Sequence, residues 1–366
     1  MRIEILLFLY GAVCVSMIGF NLMHALILRG SEPRMARRTR RMRDIICLQM
    51  DRLAQGDALE DSGANRLRKR LQNVNNLVAF DQALCSLDAA HAPRRDAYMT
   101  HLQPVLLQLA RFYGTRESIQ TAYFSFFLSR HMLRRHMSVQ PLQEVLLGYM
   151  AKENLYCRVN ALQALCAFGH PGNVAAAVEI QDRGEVFFHE KILTESLLSF
   201  AGDHRALISL LWARFPSFTP HTRLAIVNYI RFHSGDYPER MFALMQDPAE
   251  DKEVRLAAIR YFGRYRYPPA LPALLAMAGK TDPGRWEYVT VSVTVLAGYR
   301  GEQVTAALKQ ALHSANWHVR YAAAAGLEAQ QMSYESLADL MMSGDRYARE
   351  MMMYRLETRR LRQERG

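Results

Sequence analysis

The pattern of apolar and polar positions divides the chain into one long uncharged stretch and a series of short amphipathic segments. Residues 5–28 contain no Asp, Glu, Lys or Arg. Beyond residue 31, apolar residues recur at i, i+3, i+4 and i+7 in segments separated by Gly, Pro and Asp. The alternation typical of strands is almost absent, so the pattern predicts an all-α protein.

The uncharged stretch is long enough to cross a membrane as a helix. Its 24 residues extend about 36 Å at about 1.5 Å per residue, which spans the hydrocarbon core of a bilayer with some tilt. A cleaved signal peptide has a shorter apolar region followed by a small-x-small cleavage site, and neither feature fits here. We therefore expect residues 1–30 to form a single uncleaved transmembrane anchor.

Charged residues beside this stretch predict its orientation. Arg2 and Glu4 precede it, whereas many arginines follow it closely. Positively charged flanks stay in the cytoplasm, so we expect the N-terminus outside the plasma (inner) membrane and everything from Arg29 onward inside. The membrane-proximal basic residues are Arg34, Arg37, Arg38, Arg40, Arg41 and Arg43. Attraction of this cluster to anionic lipids is a second interpretation that the sequence leaves open.

A repeated motif runs through the body of the chain. The clearest copy covers residues 251–263, with an acidic start, a Val-Arg pair, two alanines and a closing glycine. Residues 316–327 and 154–169 follow the same plan. With the arginine as the register, equivalent positions recur at intervals of 30–35 residues, at Arg158, Lys191, Arg223, Arg255, Thr290 and Arg320.

This motif resembles the HEAT-repeat family in its short bacterial form, over about residues 115–340. The resemblance implies an α-solenoid of helical hairpins, in which each hairpin is stabilised by its neighbours. We expect the repeat-stacking residues to bond carbonyls or an acidic residue of an adjacent unit; they are Arg158, Arg223, Arg255 and Arg320. Lys191 and Thr290 depart from the pattern, and residues 286–299 are rich in β-branched side chains.

Four regions follow from these patterns. After the anchor at 1–30 comes a basic juxtamembrane and N-terminal helical region at 31–114, then HEAT-like repeats at 115–344 and a C-terminal capping helix at 345–366. The second region lacks the repeat motif. Its apolar periodicity predicts helices at 34–54, 62–72, 74–88 and 98–112.

The net charge of +11 first suggests a nucleic-acid partner. Most of the excess, however, lies in the first fifty residues and in the terminal helix, and residues 51–344 are close to neutral. A groove for nucleic acid needs a strongly basic body. We therefore expect no nucleic-acid partner.

Motifs for catalysis are missing from the sequence. It contains no Walker loop, GxGxxG, HExxH or GxSxG motif, and the pair His189-Glu190 stands alone where a di-iron solenoid enzyme needs several. The five cysteines form no CxxC pair, which predicts reduced thiols and neither a zinc site nor a disulfide framework. We expect no catalytic residues, no metal and no cofactor, and so not an enzyme.

One segment interleaves cations with aromatic rings and is the candidate partner surface. It contains Arg260, Arg264, Tyr265, Arg266 and Tyr267. Such a mixture suits an anionic ligand or a protein partner. Arginines four residues apart also offset the dipole at the C-terminal end of a helix, so the sequence leaves both interpretations open.

These features predict a membrane-anchored cytoplasmic scaffold for protein–protein interaction. It would recruit a partner protein to the inner face of the membrane and raise the local concentration of that partner by tethering. The alternative is an accessory subunit of a membrane enzyme complex, such as a polysaccharide-synthesising glycosyltransferase. The accessory subunit would contact the enzyme through both the span and the solenoid.

Overall fold

A computed structural model describes residues 3–56, 61–116, 118–131, 140–184, 188–332 and 335–363. The prediction of an all-α protein is confirmed for these residues, which form helices and no strand. The chain divides into two compact units. The first comprises Met1–Phe187 with Ser199–Leu207, and the second comprises Phe188–Leu198 with Ile208–Gly366.

The helices of the first unit follow one another with short connections. They are α1 (Ile3–Ala54), α2 (Asp61–Leu71), α3 (Val74–Cys85), α4 (Ala92–His101), α5 (Gln103–Gly114), α6 (Ser118–His131), α7 (Gln140–Tyr149), α8 (Leu155–Phe168) and α9 (Pro171–Arg183). Buried aromatic rings fill the centre of this unit, where Tyr113 stacks on Phe124 with ring centroids 5.0 Å apart. The Tyr113 hydroxyl donates a hydrogen bond of 2.6 Å to the Leu71 carbonyl and thereby ties α5 to α2.

The second unit is a regular series of helices. They are α10 (Glu190–Leu198), α11 (His204–Ala213, which begins in the first unit), α12 (Pro220–His233), α13 (Pro238–Gln246), α14 (Lys252–Arg264), α15 (Leu271–Ala278), α16 (Trp286–Leu296), α17 (Glu302–Ala311), α18 (Trp317–Ala329), α19 (Ala338–Met341) and α20 (Arg346–Gln363). Helices α10, α12, α14, α16, α18 and α20 each pack on the next one in this row. Each of α13, α15 and α17 pairs with the helix that follows it, which gives a solenoid-like order of hairpins.

The sequence motif explains where these helices begin and how closely they pack. The side chain of Asp251 accepts hydrogen bonds from the backbone N–H groups of Glu253 and Val254, and so caps the start of α14. Asn316 caps α18 in the same way. Both alanines that follow the Val-Arg pair in α14 are buried, which lets the neighbouring helices approach closely.

Helix α1 is continuous through Pro33. Its C-terminal part packs on α3 and α4 and buries Met42, Ile46 and Met50. Residues 1 and 2 of the predicted anchor lie outside the described residues, and the description of 3–7 and 24–31 covers the backbone alone. Between these segments the apolar side chains are exposed, Phe8 to 80% and Val15 to 71%. Within the described part of the chain, no helix combines the length and apolarity needed to cross a membrane.

Two helical segments differ from what the sequence predicts, one from its apolar periodicity and one from its helix propensity. The single helix predicted at 98–112 is wrong, because the chain turns at Leu102 and starts α5 anew with Pro104 in its first turn. Conversely, the segment 286–299, which is rich in β-branched residues, still forms a helix, α16, over Trp286–Leu296. Burial of Val289, Val293 and Val295 in the stack outweighs their weaker helix propensity.

Replacing Gly202 with alanine is expected to destabilise the first unit by about 1–3 kcal/mol. A Cβ atom at this position would overlap the carbonyl oxygen of Gly169 and the ring of Phe200. The matched control is Gly148→Ala in α7, where no atom lies within 4 Å of the added methyl group. The control should stabilise α7 by about 0.5–1 kcal/mol. Urea unfolding of both variants measures the difference, and equal midpoints would contradict the close approach at Gly202.

Candidate functional site

Two arginines of the repeat register, Arg255 and Arg320, donate to backbone carbonyls within their own hairpins. Arg255 donates from Nε and Nη2 to the Met245 carbonyl, at 3.2 Å each, near the end of α13. Arg320 donates from Nη1 to the Ser314 carbonyl at 2.7 Å, just after α17. The carbonyls at a helix end have no partner within their own helix. Arg255 therefore satisfies the end of the helix that precedes its own, and Arg320 satisfies a carbonyl in the loop between α17 and α18.

The same arginines also reach the repeat that follows. The Arg255 guanidinium lies 5.1 Å from the ring centroid of Tyr288 in α16, and Arg320 lies 5.3 Å from that of Tyr347 in α20. Arg223 of α12 instead donates to Glu250 Oε2 at 3.0 Å, in the loop before α14. Contacts in both directions are what a stacking role requires.

Two further arginines, Arg158 and Arg349, belong with the repeat-stacking arginines. Arg158 of α8 is 4% exposed, and burial lowers its pKa. Arg349 of α20 donates to the Ser343 carbonyl at 2.8 Å, as Arg320 does in the preceding repeat. Sequence reasoning missed Arg349, which lies 29 positions after Arg320, one residue short of the 30–35-residue interval.

Replacing Arg223 with alanine is expected to cost about 2–3 kcal/mol, because it leaves the carboxylate of Glu250 buried without its ion-pair partner. The control is Arg285→Ala, since Arg285 and its partner Asp282 are both largely exposed. Such surface pairs contribute at most about 1 kcal/mol. Thermal unfolding of the two variants tests the contrast. Equal losses of stability would show that the Arg223–Glu250 pair stabilises the protein no more than a surface ion pair does.

Three arginines from successive repeats line a groove of about 590 Å³ on the second unit. Arg231 comes from the end of α12, and Arg260 and Arg264 come from the end of α14. The rest of the lining consists of Phe232, Gly263, Val291, Thr294 and Val295. We call this surface the arginine groove. Since α12, α14 and α16 are consecutive members of the stack, the spacing of the repeats places these side chains side by side.

The arginine groove is electrostatically unbalanced. In the described part of the chain, none of Arg231, Arg260 and Arg264 forms an ion pair with a carboxylate. Burial lowers the pKa of Arg231, and the positive charges of Arg260 and Arg264 lower it further. The buried Nε of Arg231 has no hydrogen-bond acceptor among the described atoms. An anion entering the groove would relieve this repulsion.

An aromatic ring lies among these cations. Phe232 is 43% exposed, and the guanidinium groups of Arg231 and Arg264 lie 4.3 and 6.0 Å from its ring centroid. The groove therefore combines positive charge with exposed apolar surface. That combination fits a ligand with both an anionic and an apolar part.

The residues of the predicted partner surface separate into two groups. Arg260 and Arg264 line the arginine groove, and Arg266 is exposed. Tyr265 instead packs on Tyr261, with ring centroids 4.9 Å apart. Tyr267 stacks on Phe262, and its backbone N–H donates to the Tyr299 hydroxyl at 3.1 Å. The two tyrosines therefore stabilise the repeat stack.

Sequence reasoning missed Arg231 and Phe232, which belong to the preceding repeat. A signal existed, because Phe232 and Arg264 both stand nine positions after the register arginine of their own repeat. A comparison of the same register position in successive repeats would have grouped Phe232 with Arg264.

The membrane-proximal basic residues lie on α1 between the uncharged stretch and the packed end of the helix. All six side chains, Arg34, Arg37, Arg38, Arg40, Arg41 and Arg43, are exposed. The interposed Met42 is buried against the rest of the first unit. The helix thus presents a cationic surface immediately beside a packed one.

No protein-family model matches the chain, and a search of curated proteins found no match.

Proposed function

We propose that the protein is a membrane-anchored scaffold that recruits an acidic partner protein to the inner face of the membrane. The observation that carries the proposal is the arginine groove, in which three cations converge without a carboxylate among the described residues. A partner segment that carries Asp or Glu beside an apolar side chain complements both the arginines and Phe232. Charge complementarity of this kind accelerates association and selects the partner.

A protein partner fits better than nucleic acid. The groove is about 590 Å³, the size of a site for a few side chains, and the surrounding residues 51–344 carry almost no net charge. Nucleic-acid binding depends on extended positive surface that tracks a backbone of phosphates. The second unit acts in this proposal as a HEAT-like array, whose stacked hairpins present the groove.

The anchor in this proposal is residues 1–30, which include the first part of α1. Support comes from the uncharged stretch at 5–28 and from the exposed apolar side chains within it, such as Phe8 and Val15. The exposed arginines after this stretch are suited to the cytoplasmic headgroup region. About 14 helical residues separate Leu28 from buried Met42, which at about 1.5 Å per residue holds the packed part of the first unit about 21 Å from the end of the stretch.

Tethering is the proposed mechanism. A partner held at the membrane has a higher effective concentration towards membrane-bound targets, and this gain needs no chemistry by the scaffold itself. The scaffold requires only an anchor that stays in the bilayer and a groove that binds.

An accessory subunit of a membrane enzyme complex, such as a polysaccharide-synthesising glycosyltransferase, is the second candidate. One observation favours it: Gly11 and Gly19 lie in α1 with no neighbouring atom within 4 Å of an added methyl group. Open small-residue positions let another transmembrane helix approach closely. In this candidate the span itself is part of the interface.

Purification from detergent with the intact chain and with residues 31–366 separates these candidates. A scaffold keeps its partner in both preparations, since the arginine groove lies in the second unit. An accessory subunit keeps its partner only when the span is present. Failure of both preparations to retain any acidic partner would contradict the proposed function.

A further inference from the structure

Three side chains of different chemistry meet between α3 and α6 in the first unit. Asp81 and Cys85 stand four positions apart on α3, so both side chains lie on one face of the helix. His131 is the last residue of α6, which packs on α3. The Cys85 Sγ atom lies 3.8 Å from Asp81 Oδ1 and 3.9 Å from His131 Nε2, and the latter two atoms are 2.6 Å apart.

We propose that Asp81, Cys85 and His131 bind a divalent transition-metal ion of the zinc class. Zinc bonds nitrogen and oxygen at about 2.0 Å and sulfur at about 2.3 Å in tetrahedral geometry, which places ligand atoms about 3.3–3.5 Å apart. The two separations that involve sulfur exceed this range by only a few tenths of an ångström. The contact between Asp81 and His131 must lengthen by about 0.7 Å, which small side-chain rotations supply.

The surroundings of Asp81 orient its ligand oxygen. Its Oδ2 atom accepts a hydrogen bond of 2.9 Å from the Tyr123 hydroxyl and lies 3.6 Å from Arg130 Nη1. The other oxygen, Oδ1, is thereby aimed at His131 and Cys85. Hydrogen bonds to the far atom of a ligand are a regular feature of protein metal sites, because they fix ligand orientation.

Burial divides the site into a closed side and an open side. Asp81 and His131 are only 4% and 5% exposed, whereas Cys85 is exposed. An ion can therefore enter past the thiol, and a water molecule can take the fourth position. One sulfur, one nitrogen and one oxygen donor favour zinc or cobalt over calcium and magnesium, which prefer oxygen donors alone.

The protons and charges of the binding step balance. Metal binding needs the thiolate, so the Cys85 thiol releases its proton to solvent as the metal–sulfur bond forms. Asp81 binds as a carboxylate, with its other oxygen held by the Tyr123 hydroxyl. The Nε2 proton of His131 leaves to solvent or moves to Nδ1. Thiolate and carboxylate together neutralise the ion, so the occupied site carries no net charge beside Arg130.

Cobalt titration of the full-length protein tests the proposal. The protein is purified in detergent, reduced and treated with a chelator, and Co²⁺ is then added without oxygen. We expect one Co²⁺ per chain and a near-ultraviolet thiolate-to-cobalt charge-transfer band, which Zn²⁺ abolishes by displacement. Absence of the band at saturating Co²⁺ would overturn the proposal.

Variants assign the band to these residues. Cys85→Ser is expected to remove the band and weaken Co²⁺ binding by at least about 100-fold, whereas the control Cys47→Ser leaves both unchanged. Because Cys85 is exposed, serine leaves the fold intact, which circular dichroism checks. Tyr123→Phe keeps the band but weakens binding by about 10–100-fold, since it frees the far oxygen of Asp81. A band that survives in Cys85→Ser would equally overturn the assignment.

Discussion

Deletion of residues 1–30 is expected to move the protein from the membrane pellet to the supernatant almost completely. The deletion removes the uncharged stretch, in which each Leu, Ile, Phe or Val contributes about 0.3–0.6 kcal/mol to insertion. The remainder of α1 keeps Met42, Ile46 and Met50, which pack against α3 and α4. Fractionation of cell membranes followed by a carbonate wash measures the fraction that stays in the pellet.

The control for this deletion is Leu48→Arg in the full-length chain. Leu48 is also an exposed apolar residue of α1, but it lies beyond the arginines. This variant should remain in the pellet. If the shortened chain also resists the carbonate wash, the arginines of residues 34–43 or another segment hold it there, and the proposed anchor is wrong. A reporter fused after Gly366 that is active only outside the cytoplasm would contradict the orientation.

Reversing two charges of the arginine groove is expected to weaken partner binding about 1,000-fold. In the Arg260→Glu, Arg264→Glu double variant, an acidic partner segment meets like charges, and such contacts cost several kcal/mol. A loss of about 4 kcal/mol corresponds to the stated factor. Binding is measured by calorimetry with the partner recovered from detergent, at low and at high salt. The salt dependence should also fall, since fewer opposite charges attract across the interface.

A matched variant controls for net charge. Lys280→Glu with Arg300→Glu changes the net charge of the second unit equally, at exposed positions outside the groove. It should lower affinity by less than about threefold, because separated surface charges are screened. The groove variant should also unfold no earlier than the parent chain, since it removes repulsion around Arg231. An equal loss of affinity in both variants would mean that general attraction, not the arginine groove, binds the partner.

The helical fold was predictable because local and long-range requirements agree along most of the chain. Apolar spacing, the capping residues Asp251 and Asn316, and paired alanines all favour stacked helices. The prediction failed at residues 98–112, because the apolar periodicity continues across the turn at Leu102. At this turn α4 ends and α5 begins, with Pro104 in its first turn. In α16, by contrast, helix propensity alone would have misled, because burial of its valines decides the structure.

The candidate sites were less predictable because their members lie far apart in sequence. Arg260 and Arg264 were visible as a cluster, but Arg231 and Phe232 join them only through the packing of α12 on α14. Tyr265 and Tyr267 share the same sequence cluster, yet their rings pack within the unit. Asp81 and His131 are fifty positions apart, so no spacing motif reveals their 2.6 Å contact.

Site-specific photo-crosslinking at Phe232 tests the central claim most directly. Phe232→p-benzoylphenylalanine places the reactive group in the arginine groove of the full-length chain, and the adducts are collected from the membrane fraction of irradiated cells. The scaffold account predicts one protein adduct, with an acidic segment at the crosslinked site, that disappears in the Arg260→Glu, Arg264→Glu background. The account would be contradicted if Phe232 gave no protein adduct, or if the same adduct formed equally in that background.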